Sequence, residues 1–157
     1  MANETEAKRE PAPDRALFPV FVPLTTRWKD NDPYGHLNNV VYYELFDAAV
    51  NQLLIERGLL DPATSAVIGL VVESRCRFLS SLAFPDRIEV GVAVESIGRS
   101  SVNYRLAVFK AGAQTAAADG HYTHVYVERA TSRPAPIPEP HRQAMQEWRV
   151  TFQQDLR

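Results

Sequence analysis

The run Arg27-Trp28-Lys29-Asp30-Asn31-Asp32-Pro33-Tyr34-Gly35-His36-Leu37-Asn38-Asn39 sets two carboxylates and an imidazole in a turn just ahead of a helix. Upstream, Val20 to Trp28 is β-rich, and Pro33 and Gly35 break any continuation of that strand. From Asn38 to Arg57 the chain reads as helix, with Tyr42, Leu45, Phe46, Ala49 and Leu53 at helical spacing and Gly58 as its stop. Glu44, Asp47 and Asn51 leave only a narrow polar stripe, so the helix should be more buried than an ordinary surface helix, as expected if a sheet wraps around it. Its start offers unpaired N–H groups and the positive end of the macrodipole, which can hold a developing oxyanion opposite Asp32. This is a candidate acyl-transfer site.

Beyond the helix the pattern changes to strand. Ile88, Val90, Val92 and Val94 alternate with Glu89, Gly91, Ala93 and Glu95, and Val102, Tyr104, Leu106 and Val108 repeat the alternation. Ile97-Gly98-Arg99-Ser100 and Lys110-Ala111-Gly112-Ala113 read as hairpin turns. Strands over 68–79 and 115–128 complete the order, and 141–154 could form a short terminal helix after a Pro-rich exit. A long helix on a mainly antiparallel five-stranded sheet is an α+β layer architecture. Its open strand edge favours a two-fold dimer or a dimer of dimers. Three parts are expected: a flexible polar tail over 1–17, one domain over 18–138 and a C-terminal extension over 139–157.

The composition narrows the class. One domain of 157 residues can bury a substantial core. With 17 basic and 19 acidic residues the net charge is −2, which argues against a partner such as nucleic acid or an anionic membrane. The single cysteine, Cys76, allows no internal disulfide and suits a reducing compartment. No apolar run has the length of a membrane span and the N-terminus has no signal-peptide core, so the expected location is the cytoplasm.

The pattern Trp28-x-Asp30-x-Asp32-x-x-Gly35-His36-x-Asn38-Asn39-x-x-Tyr42 resembles the signature of hotdog-fold acyl-CoA thioesterases of the 4-hydroxybenzoyl-CoA thioesterase type. The likeness runs from about Phe21 to about Pro138 and includes the Arg99-Ser100-Ser101 turn and the Arg133-Pro134-x-Pro136-Ile137-Pro138 tail. It implies a hotdog fold, sites at a subunit interface and hydrolysis of an acyl-CoA without cofactor. Asp32 would be the nucleophile or general base, the amide near Asn39 the oxyanion donor, and His36 a contact to the thioester region. Tyr34, Gly35 and Tyr42 would line the substrate site, and Arg99, Ser100, Ser101 and Arg133 would meet pantetheine and phosphates. Arg129 is a further candidate phosphate contact. A non-catalytic acyl-CoA-binding module and an acyl-carrier-protein thioesterase are the alternatives.

Plainer readings stand beside these. Asp30 and Asp32 suit an Asx-turn pair, His36 a hydrogen-bonded structural histidine, Asn38 and Asn39 helix caps, and Arg99 a solvated hairpin. Glu73, Arg75 and Arg77 fall opposite Ile68, Leu70 and Val72, a row that reads first as exposed or oligomer-facing surface and second as a catalytic acid at Glu73. Ser74, Cys76 and Phe78 fall on the core side, which makes Cys76 a buried small hydrophobe. His121 and His124 point to opposite faces of a strand and cannot easily share a metal. No Gly-x-Ser-x-Gly elbow, Walker loop or dinucleotide fingerprint is present.

Overall fold

The computed structural model describes residues 10–152. A strand β1 (Val20–Thr25) leads through a 3-10 turn (Trp28–Asp30) to the helix α1 (Asn39–Glu56). Strands β2 (Val67–Phe78), β3 (Arg87–Ile97), β4 (Ser101–Lys110) and β5 (Ala118–Glu128) follow, and a helix α2 (Glu139–Glu147) closes the order. The sheet is five-stranded and antiparallel in the order β1-β3-β4-β5-β2. The long helix lies on one face of it, which is the hotdog arrangement expected from the sequence.

The helix ends follow from local chemistry. Asn38 caps the start of α1 by accepting from the Val40 N–H at 3.2 Å. At the other end Gly58, at φ +68°, takes the left-handed turn that releases the chain, and the Leu59 N–H closes it on the Leu54 carbonyl at 2.8 Å. Val41, Tyr42, Leu45, Phe46, Ala49, Val50, Leu53 and Leu54 are buried. They meet Val90, Val92, Leu106 and Tyr122 of the sheet in one cluster, where a fully buried large apolar side chain contributes about 1.5–3 kcal/mol. The sheet of a single chain does not enclose the helix, however. Val40, Tyr43 and Ile55 stay exposed on its free flank.

Strand β2 departs from the alternation read in the sequence. Val71 pairs with His124 and Glu73 with Thr123, so Val72 is an extra residue that inverts the faces. Ser74, Cys76 and Phe78 pair with the inward positions Tyr122, Gly120 and Ala118, as expected. On the other side of the bulge Gly69 and Val71 face inward, and Ile68 and Leu70 share the outer face with Glu73, Arg75 and Arg77. The expected opposition of Ile68 and Leu70 to Glu73 is therefore wrong, because one inserted residue shifts the period of two. β2 is also an edge strand, with Leu70, Val71 and Val72 between 42 % and 60 % exposed.

Both ends of the described segment lie against the outer face of the sheet. Of the expected tail, 1–9 lies outside the described residues, whereas 10–17 is tied down. Arg77 donates to the Glu10 carbonyl at 2.7 Å, and Arg15 pairs with Glu89 at 2.9 Å. The extension differs from expectation too: the helix stops at Glu147, and the following segment adds to β3 through Val94 N–H to the Trp148 carbonyl and Val150 N–H to the Val94 carbonyl. Phe152 joins Phe18, Ala93, Ala107, Phe109 and Ala116 in a second apolar cluster there. The remainder of the expected terminal helix, 153–157, lies outside the described residues. No helix among the described residues is long and apolar enough to cross a membrane.

Candidate active site

The two acids of the opening motif have different surroundings. Asp30 is 3 % exposed and fully engaged, accepting from the Arg27 N–H at 2.7 Å and pairing with its guanidinium at 2.9 Å. It is a brace. Asp32 closes the next turn: its N–H donates to the His36 carbonyl at 2.9 Å, and its Oδ1 accepts from the Tyr34 N–H at 2.8 Å. Gly35, at φ +87°, completes this turn in a conformation that side chains disfavour. Asp32 is thus an Asx-turn residue, as one reading held, and still has Oδ2 directed to His36 Nδ1 at 3.2 Å. That nitrogen also lies 3.3 Å from the Leu37 carbonyl, so the contact favours the tautomer with the proton on Nδ1 and leaves Nε2 as an acceptor.

The turn is stapled to the loop after β2. The Leu37 N–H donates to the Leu82 carbonyl at 2.7 Å, and Asn31 Oδ1 accepts from the Phe84 N–H at 2.9 Å. This contact places β2's end opposite the motif, enclosing a cavity of about 590 Å³. Asp32, Tyr34, His36, Asn38, Asn39 and Tyr42 line one side; Phe78, Leu79, Ser80 and Ser81 line the other. The sequence reading missed this second wall. Phe78 was legible only as a core position, yet it stands edge-on to Tyr42 at 5.2 Å and is 48 % exposed. Asn39 opens the helix, and its N–H has no hydrogen-bond acceptor among the described residues.

Burial governs the nearby titratable groups. Burial pushes the Cys76 thiol up to about 12, so the thiolate that a nucleophilic cysteine requires is scarce near neutrality. Burial also raises Tyr42 above its ordinary value, which keeps its hydroxyl protonated beside the cavity.

The remaining expected residues are elsewhere. Arg99 and Ser100 form the β3–β4 turn, where the Arg99 carbonyl accepts from Ile137 N–H and the Ser100 carbonyl from Tyr126 N–H. The Arg133 carbonyl accepts from the Glu128 N–H at the same end of the sheet. Phe78 pairs with Ala118, which pairs with Val108, whereas Ser101 pairs with Val125. Seven residues of β4 separate these two ends, about 23 Å at strand rise. Within one chain, Arg99, Ser100, Ser101 and Arg133 do not reach the Asp32 cavity. Arg129 holds the Pro62 and Ser65 carbonyls at 2.8 and 2.7 Å, so its guanidinium braces the turn before β2.

Comparisons with known proteins bear on the family and the fold. The profile of the thioesterase-like superfamily matches residues 26–148. The PA5185 protein from Pseudomonas aeruginosa strain PAO1 is 50 % identical and superposes with a TM-score of 0.88 over 91 % of this chain and 100 % of that one. A 1,4-dihydroxy-2-naphthoyl-CoA thioesterase from Synechocystis, 16 % identical, superposes with a TM-score of 0.72 over 80 % of this chain and 93 % of that one. BH1999 gentisyl-coenzyme A thioesterase, 23 % identical, gives 0.69 over 80 % and 99 %. The last two likenesses are of fold. No curated protein matches the sequence.

Proposed function

Since the chain belongs to the thioesterase-like superfamily and is a thioester hydrolase, we propose that its substrate is an acyl-CoA and that Asp32 drives the hydrolysis. One juxtaposition supports this reading: Asp32 and Asn39, whose N–H has no hydrogen-bond acceptor among the described residues, line the same cavity from either end of one turn. The thioester carbonyl oxygen sits on the Asn39 N–H, where the helix dipole favours the charge that develops on it. Asp32 attacks the carbonyl carbon or takes a proton from the water that does. Either way the C–S bond breaks, CoA leaves as the thiol, and water supplies the oxygen of the product acid. His36 Nδ1–H positions Asp32. Tyr34 and Tyr42 line the cavity for the substrate, whereas Gly35, expected beside them, is not among its lining residues and serves the turn. A panel of aromatic and aliphatic acyl-CoA thioesters assayed for thiol release tests the reading. Binding of acyl-CoA with hydrolysis of none would leave a binding module instead.

The nucleotide end requires a second copy. Pairing two β2 edges antiparallel about a dyad near the bulge sets Phe78 of one copy beside Val67 of the other, so the far end of the partner reaches the cavity. The partner's Arg99, Ser100, Ser101 and Arg133 then supply hydrogen bonds and positive charge to pantetheine and phosphates. Replacing Arg99 or Arg133 with Ala should raise KM more than it lowers kcat, because phosphate contacts are similar in ground and transition states. The affinity of the native protein should also weaken with salt. Kinetics unchanged in both variants would return these arginines to a solvated-surface role.

No step above calls for a metal or organic cofactor. Activity should therefore survive EDTA. Loss on chelation with recovery on adding a divalent ion would redirect attention to Asp32 and His36 as ligands.

A further inference from the structure

The free flank of α1 carries Asn39, Tyr43, Asp47 and Asn51 at four-residue intervals, on the side of the open β2 edge. Beneath it the inward positions of β2 run from Phe78 through Cys76 and Ser74 to Val71. They follow on from Tyr42 and Phe78, the last residues of α1 and β2 to line the cavity, so the trough they border leads away from it. Tyr43 at 38 % and Val71 at 45 % exposure keep the trough open where a second copy would close it.

The trough changes character at Asp47. The Tyr122 O–H donates to Asp47 Oδ1, which also accepts from Asn51 Nδ2 at 3.1 Å. His124 Nε2 lies 3.0 Å from the Tyr122 hydroxyl. Because that hydroxyl's proton goes to Asp47, Nε2 must carry the proton of this contact, and Nδ1 is left as a bare acceptor. His124 is 1 % exposed, and neither its Nδ1 nor the buried Ser74 Oγ has a partner. Burial holds the His124 pKa down at about 4, so the ring is neutral, and burial followed by the Asp47 contact lifts Tyr122 above its usual range. The Tyr122 and His124 protons of this cluster are spent, Ser74 keeps an unspent O–H, and Asp47 has acceptor capacity left. Asp47 Oδ2 itself takes no hydrogen bond among the described residues.

Eight residues of α1 separate Asn39 from Asp47, about 12 Å along the axis. An acyl group whose carbonyl sits on the Asn39 N–H and whose chain follows the trough ends beside these acceptors. We propose that Asp47, positioned by Tyr122 and His124, selects an acyl group with a hydroxyl at its far end over a plain hydrocarbon of the same length, and disfavours one ending in a carboxylate. The proposal rests on the acyl-CoA hydrolase reading and adds the class of acyl group. A donor satisfies the carboxylate; a methyl leaves it desolvated and unpaired; a second carboxylate repels it.

The test compares kcat/KM for 8-hydroxyoctanoyl-CoA, octanoyl-CoA and the CoA monothioester of octanedioic acid. The native enzyme should prefer the hydroxylated substrate to octanoyl-CoA by at least about tenfold, with the dicarboxylic monothioester slowest. In Asp47→Asn the ratio of dicarboxylic monothioester to octanoyl-CoA should rise, and in Asp47→Ala the hydroxyl preference should fall toward one. Tyr122→Phe, which keeps the packing of the ring, should lower the same preference by freeing Asp47 to turn toward solvent. Hydrolysis of octanoyl-CoA with no hydroxyl preference in the native enzyme, or a preference intact in all three variants, overturns the proposal and leaves the hydrolase reading standing. Hydrolysis of none of the three substrates overturns the proposal, and the aromatic members of the acyl-CoA panel then decide the hydrolase reading.

Discussion

Asp32→Asn should lower turnover by about two orders of magnitude or more while acyl-CoA still binds. The amide keeps the size of the side chain and can still accept the Tyr34 N–H at Oδ1. What it loses is the negative charge on the oxygen 3.2 Å from His36 Nδ1, which both direct attack and water activation require. A hundredfold loss corresponds to about 2.7 kcal/mol of transition-state stabilisation. Asp30→Asn is the matched control, because Asp30 is buried against Arg27 and lines no part of the cavity. Its expected effect is on stability: removing the charge from a buried, hydrogen-bonded carboxylate costs about 1–3 kcal/mol in denaturant unfolding. Steady-state turnover, binding by titration and unfolding midpoints for the pair separate the roles. Near-native hydrolysis by folded Asp32→Asn would remove Asp32 from the mechanism.

What could be read from residue order alone divides along a physical line. The turn of Asp30 to Asn39 was legible because its chemistry is local: Pro33 and Gly35 set the bend, and Asn38 caps the helix three residues later. The apolar alternation of β3 and β4 was legible because one face is buried along its whole length. By contrast, Val72 looks like an ordinary strand residue, and only its pairing with β5 shows the bulge. The second wall of the cavity, Phe78 to Ser81, comes from residues far along the chain from Asp32, held there by Leu82 and Asn31, and no local pattern encodes that contact. Glu10 to Leu17 has the composition of a disordered tail, but Arg77 and Glu89 supply the partners that offset its ordering entropy. The length of about 23 Å that β4 spans between the cavity end and the Arg99 turn is also a property of register, and the role proposed for Arg99 therefore calls for a second copy.

That requirement makes the second large effect predictable. Replacing both Val71 and Val72 with Lys should yield a folded single chain with kcat/KM reduced about a hundredfold or more. Both side chains are exposed in one chain, at 45 % and 60 %, so the substitutions remove little internal packing and should change the stability of the monomer by about 0.5 kcal/mol. In a dimer paired through β2 the same positions lie beside the dyad, and four added lysines would face one another there. Charged residues on an edge strand are a device by which natural proteins prevent such pairing. Sedimentation should show the native protein as a dimer or a dimer of dimers at micromolar concentration, and the variant as a monomer whose circular dichroism is retained. Activity should fall because Asp32 and Arg99 can meet only across the interface. Mixed oligomers provide an independent readout at substrate concentrations below KM. When Asp32→Asn protomers are refolded with Arg99→Ala/Arg133→Ala protomers, each hetero-pair assembles one site with native Asp32 and native arginines. The mixture should therefore be more active than the mean of its parents. A lysine variant that is monomeric and fully active, or a mixture no better than its parents, would place the whole site within one chain and sink the shared-site arrangement.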